Sequence, residues 1–300
     1  MEKLLVITGT NASGKSGLGI ELALKYHAEI VSADSRQVYK GLDLGSGKVT
    51  EEEMKGVPHH LLDVAEPGEQ FTLVDFQHKA YEAIDDIHSR GKKAFLVGGT
   101  GLYINSVVDG YNIKEEKPDK ERREAVEAMT SEELTEIIRK ENPDALLRLD
   151  QKNKRRLERE VERILAGDTA ARVNTPRYET LVLGVTWPRD MLYGRIRERL
   201  DRRLKEGMVD EVADLRAAGV PDAFLYGLGL EYRYILMYLR NEFPDFDAFY
   251  DRLFTEIRHL AKEQMTWFRK RKDIHWIDMT EEPLTQCENI IKEYGSGVFL

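Results

Sequence analysis

The residues best suited to chemistry come early in the chain. Gly9-Thr10-Asn11-Ala12-Ser13-Gly14-Lys15-Ser16 has the spacing G-x-x-x-x-G-K-[ST], follows an apolar run and precedes an amphipathic one. Small residues let such a loop wrap an anion, so that backbone N–H groups and a helix N-terminus point at phosphate oxygens. Lys15 adds a point charge at the distal phosphate, and the Ser16 hydroxyl can ligate Mg²⁺. The pattern specifies a di- or triphosphate and leaves the rest of the ligand open. Asp34-Ser35-Arg36-Gln37-Val38-Tyr39 follows a second apolar run, at the carboxyl edge where open α/β sheets bind ligands. Asp34 could there serve a metal through water, act as a base, or cap the next turn. Gly98-Gly99-Thr100-Gly101-Leu102-Tyr103 offers the Thr100 hydroxyl to the same edge, or forms a plain tight turn. Pro58-His59-His60-Leu61-Leu62-Asp63 contains adjacent histidines, but neighbouring side chains diverge and no third ligand recurs at zinc spacing, so no metal site is expected there.

The elements that must hold these groups read as an α/β fold, with a P-loop-like parallel sheet and flanking helices. Strands are predicted over Lys3 to Thr8, Glu29 to Ser32, Lys93 to Val97, Thr180 to Thr186 and Ile274 to Ile277. Helices are predicted over Lys15 to His27, Phe71 to Ser89 and from about Leu102. Beyond Pro188 they follow over Arg189 to Lys205, Val209 to Ala218, Glu231 to Leu239, Asp247 to Lys270 and Pro283 to Tyr294. Residues 113–175 are almost continuously charged, with helical periodicity near Lys120 to Met129, Ser131 to Glu141 and Lys154 to Ala166, and no strand signal. They read as an all-helical insertion in a domain made of residues 1–112 and 176–300.

The 300 residues are 41% hydrophobic and 33% charged, and no apolar run approaches the ~18 residues of a membrane span. A single cysteine, Cys287, and no signal-peptide pattern predict a cytoplasmic protein. The net charge of −9, from 45 basic and 54 acidic side chains, taken alone argues against a nucleic-acid partner.

Taken together, the motifs resemble the tRNA dimethylallyltransferase (tRNA isopentenyltransferase) family. The phosphate loop, Asp34 to Asp43, Pro58 to Asp63 and Gly98 to Tyr103 occur in that family's order. Leu192-Tyr193-Gly194-Arg195-Ile196, Gly207-Met208-Val209-Asp210-Glu211-Val212 and Gln264-Met265-Thr266-Trp267-Phe268-Arg269 continue the likeness. The resemblance implies transfer of a dimethylallyl group from dimethylallyl diphosphate to N6 of adenine 37 in tRNA, with Mg²⁺ as cofactor. By residue-wise carry-over, Asp34 would be the catalytic base and Thr100 would hydrogen-bond the oxygen leaving carbon. Gly9, Thr10, Asn11, Ala12, Ser13, Gly14, Lys15 and Ser16 would bind the diphosphate, with the metal at Ser16 and help from Arg233. Asp34, Ser35, Arg36, Gln37 and Thr100 would meet the extruded base. Arg123, Lys154, Arg155, Arg156 and Arg159 in the insertion would grip the anticodon stem-loop, and Lys152 and Arg163 share that helical stripe. Read as residues alone, the stripe is better taken as a solvated face balanced by Glu158, Glu160 and Glu162. Arg195, Arg199, Arg202 and Arg203 form a second basic stripe, also a candidate RNA contact.

The chain departs from the family's usual pattern at three places. Gly229-Leu230-Glu231-Tyr232-Arg233 carries an acid where a Gly-Tyr-Lys/Arg segment is usual, Lys262-Glu263-Gln264 replaces Lys-Arg-Gln, and Ser46-Gly47-Lys48 replaces Thr-Ala-Lys. A monomer with no obligate protein partner is expected. Adenylate isopentenyltransferase, a P-loop small-molecule kinase and a non-catalytic RNA-binding protein are the competing readings; the basic insertion and the Met-Thr-Trp-Phe-Arg tail favour RNA over a free nucleotide.

Overall fold

In the computed structural model, which describes residues 1–113, 119–169 and 173–294, contacts divide the chain into two compact units. One comprises Met1–Tyr111 with Thr175–Leu300, the other Asn112–Asn174. The first begins with β1 (Lys3–Gly9), α1 (Lys15–Tyr26) and β2 (Ala28–Ser32), followed by α2 (Glu51–Met54) and a two-residue β3 (His59–His60). Then come α3 (Leu73–Ser89), β4 (Lys93–Gly98) and α4 (Gly101–Val108). The second unit holds α5 (Lys120–Glu127), α6 (Ser131–Glu141), a 3₁₀ turn (Pro143–Leu147) and α7 (Lys154–Leu165). The chain re-enters the first unit with β5 (Glu179–Thr186), α8 (Arg189–Lys205), α9 (Met208–Ala217), α10 (Asp222–Leu228), α11 (Leu230–Leu239) and α12 (Phe246–Phe268). It finishes with β6 (Ile274–Asp278) and α13 (Pro283–Tyr294).

The six strands form one parallel sheet in the order β3-β2-β4-β1-β5-β6. Leu4, Leu5, Val6 and Ile7 of β1 are fully buried, because helices cover both faces of a parallel sheet and its strands lose the alternation of a one-sided sheet. On one face Ile7, Val97 and Leu183 pack with Leu18 and Leu22 of α1; on the other, Val6, Leu96 and Val182 pack with Phe76, Ile84 and Ile104 of α3 and α4. From β1 the chain first builds β2, β3 and β4 on one side, then β5 and β6 on the other. This reversal of direction leaves a crevice outside the carboxyl ends of β1, β2 and β4, the place where open α/β sheets take ligands. The second unit closes its own small core from Val126, Leu134, Ile138, Leu157 and Val161.

The predicted strands and helices all form. α3 starts at Leu73 rather than Phe71, because Thr72 and Asp75 make a reciprocal capping box that fixes the first turn. The sequence reading had no element for α2, β3, α10 or the 3₁₀ turn, each too short to carry a period. β3 explains the adjacent histidines: His59 aligns with Ile30 and His60 with Val31, so the pair extends the sheet. Among the described residues, no cluster of three or more His, Cys, Asp or Glu could hold a metal ion.

That edge of the sheet is fastened by one carboxylate. Glu29, near the start of β2 and 3% exposed, accepts from Arg90 Nη1 (2.6 Å) and Nη2 (2.8 Å) and from Lys92 Nζ (2.7 Å), and meets His60 Nε2 at 2.7 Å. Arg90 foremost, then Lys92 and His60, hold its carboxyl far below the usual range against the opposing effect of burial. A depressed folded-state pKa stabilises the fold above the ordinary value of 4.5 and is lost as pH falls below it. Glu29→Gln should therefore lower unfolding free energy by about 1–3 kcal/mol at neutral pH. In urea denaturation the gap from the parent should narrow below pH 4.5; a gap independent of pH would show that the charge contributes nothing.

Candidate active site

The loop between β1 and α1 spends two of its N–H groups, Ser13 on Thr10 O and Asn11 on Gln264, and leaves the start of α1 without a side-chain cap. Gly14 is the N-cap of α1 at φ 85, a left-handed conformation that glycine adopts without strain, and no side chain caps the first turn. Ala12 is also held at positive φ, 56. The carbonyls are tied from behind: Trp187 Nε1 donates to Ser13 O (2.8 Å) and Arg195 Nε to Ala12 O (3.1 Å), with the Arg195 guanidinium stacked over the Trp187 ring. From α12, Gln264 accepts from Asn11 N (2.8 Å) and donates to Gly99 O (3.1 Å), joining the phosphate loop to the Gly98–Gly101 turn. With its carbonyls taken up, the concave face of the loop presents donors, which is what a phosphate requires.

A cleft opens on that face, lined by Lys15, Ser16, Asp34, Arg36, Gln37, Gly99, Arg199 and Gln264 among others. Lys15 Nζ donates to Thr10 O at 3.2 Å. Burial, followed by the neighbouring Arg199 charge and partly offset by Asp34, pushes the Lys15 ammonium down to about 8. Asp34 Oδ1 accepts from Arg36 N (3.0 Å), which turns the chain and holds the carboxylate at the strand end. Thr100 heads α4 without capping it; its hydroxyl accepts from Ser35 N at 3.0 Å and lies 3.4 Å from Ser35 Oγ. One lone pair is thus occupied, while the hydroxyl proton has only a long partner and remains available to an oxygen in the cleft.

The other candidates are placed as follows. Arg36 donates Nε to Leu228 O (2.6 Å) and so anchors the α10–α11 junction. The Gln37 amide lies between Ser32 Oγ and Gly47 O. Arg233 does not line the cleft: it donates to Tyr226 O (3.0 Å) and stacks on the Tyr226 ring, because α10 folds back beside it. The four arginines of the second basic stripe do not share one exposed face. Arg195 and Arg199 turn to the phosphate loop, Arg203 is buried, and Arg202 alone is well exposed. Helical spacing showed the shared face and gave no sign that the face was inward.

In the second unit the basic stripe of α7 is split. Arg123 and Arg159 both pair with Glu162, Lys154 pairs with Glu158, and Arg163 pairs with the buried Glu160. Arg155 and Arg156 are exposed and make no ion pair among the described residues.

Sequence reasoning missed Trp187, Gln264 and Glu211 as builders of the site. Glu211 accepts from the backbone N–H of Asp43, Leu44 and Gly45, fixing the turn that lines the cleft near Gly47. Its position inside the quoted Gly207–Val212 segment was the available signal.

The IPP transferase family model matches residues 37–271. The tRNA dimethylallyltransferase 2 of Citrifermentans bemidjiense is 40% identical over 296 residues, covering 96% of this chain and 94% of that protein. The tRNA dimethylallyltransferase 1 of Geotalea uraniireducens is 37% identical over 293 residues, with 96% and 97% covered. The crystal structure of the full-length tRNA isopentenylpyrophosphate transferase from Bacillus halodurans superposes with a TM-score of 0.75 at 36% identity, covering 98% of this chain and 96% of that one. With the model spanning most of the chain and relatives this similar along nearly their whole length, the chain belongs to the IPP transferase family, that of the tRNA dimethylallyltransferases.

Proposed function

We propose that the protein transfers a dimethylallyl group from dimethylallyl diphosphate to the exocyclic N6 of adenine 37 in the anticodon loop of tRNA. The observation that carries this reading is the convergence of Lys15, Ser16 and Asp34 on one cleft beside Thr100, in a chain of this family. The diphosphate would rest on the loop N–H groups and Lys15. N6 attacks the allylic carbon, the carbon–oxygen bond to diphosphate breaks, and the N6 proton passes to Asp34. Thr100 donates to the oxygen that leaves, where negative charge grows, so its contribution is made mainly in the transition state.

The donor set also suits Mg²⁺, which keeps several waters and takes one or two protein oxygens beside phosphate. Ser16 lines the cleft and supplies such an oxygen, and the ion would offset charge on the departing diphosphate. The single cysteine, Cys287, is buried and free, which suits the reducing cytoplasm where tRNA is found. No helix among the described residues is long and apolar enough to cross a membrane.

The test is incubation with dimethylallyl diphosphate, Mg²⁺ and undermodified tRNA, read as a prenyl mass increment on the RNA. The parent should give that increment, and Asp34→Ala should cut the single-turnover rate by about 10²–10⁴ with little change in tRNA affinity. Intact chemistry with weakened binding would remove Asp34 from the base role.

Because the free Lys15 ammonium titrates near 8, donor binding should weaken as pH rises through that value, by up to about tenfold per unit. Proton uptake on binding above pH 8, measured by calorimetry in buffers of different ionisation heat, checks the sign. A pH-independent affinity from 7 to 9 would contradict it.

Charge reversal at Arg155 and Arg156, which are exposed and make no ion pair among the described residues, should weaken tRNA binding and flatten the log–log salt dependence by about one to two units. An unchanged slope would mean that these side chains touch no phosphate.

A further inference from the structure

The Asp34–Tyr39 loop leans on α10 at two points. The Phe224 ring meets that of Tyr39 edge to face, with centroids 5.1 Å apart, and Arg36 Nε donates to Leu228 O at 2.6 Å. The last carbonyls of a helix have no partner within it, so Leu228 O is an acceptor that α10 itself cannot satisfy and that the loop takes up. Gly229, the next residue, stands at φ 132 and ψ −163, a conformation open to glycine and costly for other residues. A Cβ there would lie 2.6 Å from Arg36 Nε, so the missing side chain makes the seat on which the guanidinium rests.

Seated in this way, Arg36 has spent Nε and kept the rest of its fork. Nη1 and Nη2 make no hydrogen bond and no ion pair among the described residues, and the side chain lines the cleft with Asp34 and Gln37. A guanidinium is rigid and planar, so fixing Nε fixes the direction of the remaining donors. Whatever holds Leu228 and Gly229 in place therefore decides where Arg36 points. A helix of seven residues has little stability of its own, and α10 is tied at both ends by neighbours. Asp222 at its start pairs with Arg216 and Arg240. Near its end Tyr226 O accepts from Arg233 Nε at 3.0 Å, and the Arg233 guanidinium carbon lies 4.7 Å from the centroid of the Tyr226 ring. Arg233 belongs to α11, so this clip joins α11 to α10 across the glycine on which Arg36 rests.

We propose that Arg233 is a positioning residue for Arg36: clipped to Tyr226, it holds the α10–α11 junction so that the free Nη groups of Arg36 face the nucleotide brought into the cleft. This rests on the prenyl-transfer reading and sets Arg233 on the RNA side of the reaction, in place of the diphosphate contact that the resemblance implies. Arg233 acts through Tyr226, Leu228 and Gly229 and touches neither substrate.

Initial rates of prenyl transfer by the full chain, with dimethylallyl diphosphate and undermodified tRNA varied separately, test the assignment. Arg233→Met should raise the KM for tRNA by about three- to tenfold, as expected for the loss of one hydrogen bond, and leave the KM for dimethylallyl diphosphate within about twofold of the parent. Tyr226→Ala, which removes the ring under the guanidinium, should give the same split, whereas Tyr226→Phe keeps the ring and should match the parent. Because the effect passes through Arg36, Arg233→Met should add nothing in an Arg36→Met background. Thermal melting confirms that each variant is folded, and Tyr226→Ala carries the test if Arg233→Met is not. A parent-like KM for tRNA in the folded variant, a KM for the donor that rises as much as that for tRNA, or effects of Arg36→Met and Arg233→Met that add in full would overturn the proposal while leaving the prenyl-transfer reading intact. A parent protein that transfers no prenyl group to tRNA would overturn both.

Discussion

The site depends on where the carbonyls of residues 9–16 go. A loop can wrap an anion only if its N–H groups point inward, and each peptide that turns its N–H inward turns a carbonyl outward. Those carbonyls would be orphaned beneath α8 without partners. Trp187 and Arg195 take up two of them, and Arg195 is held flat against Trp187 by stacking. Gln264, from α12, works differently: its amide oxygen accepts from the Asn11 N–H of the phosphate loop while its amide nitrogen donates to Gly99 O in the turn that carries Thr100. Elements remote in sequence are thereby committed to the geometry of eight residues near the N-terminus. Leu192–Ile196 and Gln264–Arg269 contribute in this way through Arg195 and Gln264, although neither segment contains an obvious reacting group.

Much of the scaffold was legible because parallel strands and amphipathic helices write their burial directly into apolar spacing. β1, the phosphate loop and α1 could be placed almost to the residue, since Gly9 to Ser16 must lie between an apolar strand and a helix. Short elements carry no period, so β3 and α10 were silent. The basic residues were harder. Spacing assigns side chains to a face of a helix but not the face to solvent or interior, so the arginines of α8 were read as an RNA surface when three of them turn inward. Nor does the sequence around Arg233 show that it rests on Tyr226, which only the fold of α10 against α11 reveals.

Whole-chain charge proved to be the wrong scale as well. A net −9 is a sum over surfaces that a ligand never samples together. On α7, acids at three- and four-residue spacing neutralise some cations and leave Arg155 and Arg156 unpaired. The field that a polyanion meets is set by those that remain, and exposed pairs add little. In the cleft the same accounting runs the other way: Lys15 and Arg199 are each depressed in pKa first by lost hydration and then by a neighbouring guanidinium, that of Arg199 for Lys15 and that of Arg203 for Arg199.

Prenyl transfer of the proposed kind moves one unit of negative charge across this cleft. Asp34 begins ionised and ends protonated, while the diphosphate leaves with the charge that its carbon–oxygen bond had masked. The cleft's total charge is unchanged, so no ion need enter or depart during the chemical step. What changes is position: negative charge shifts from the β2 end toward Lys15 and Arg199. Cations fixed there favour the transition state over the bound donor, because they meet more charge after the bond breaks than before. They also hold the product diphosphate more tightly than the donor, so the preorganisation that speeds bond cleavage must slow product release.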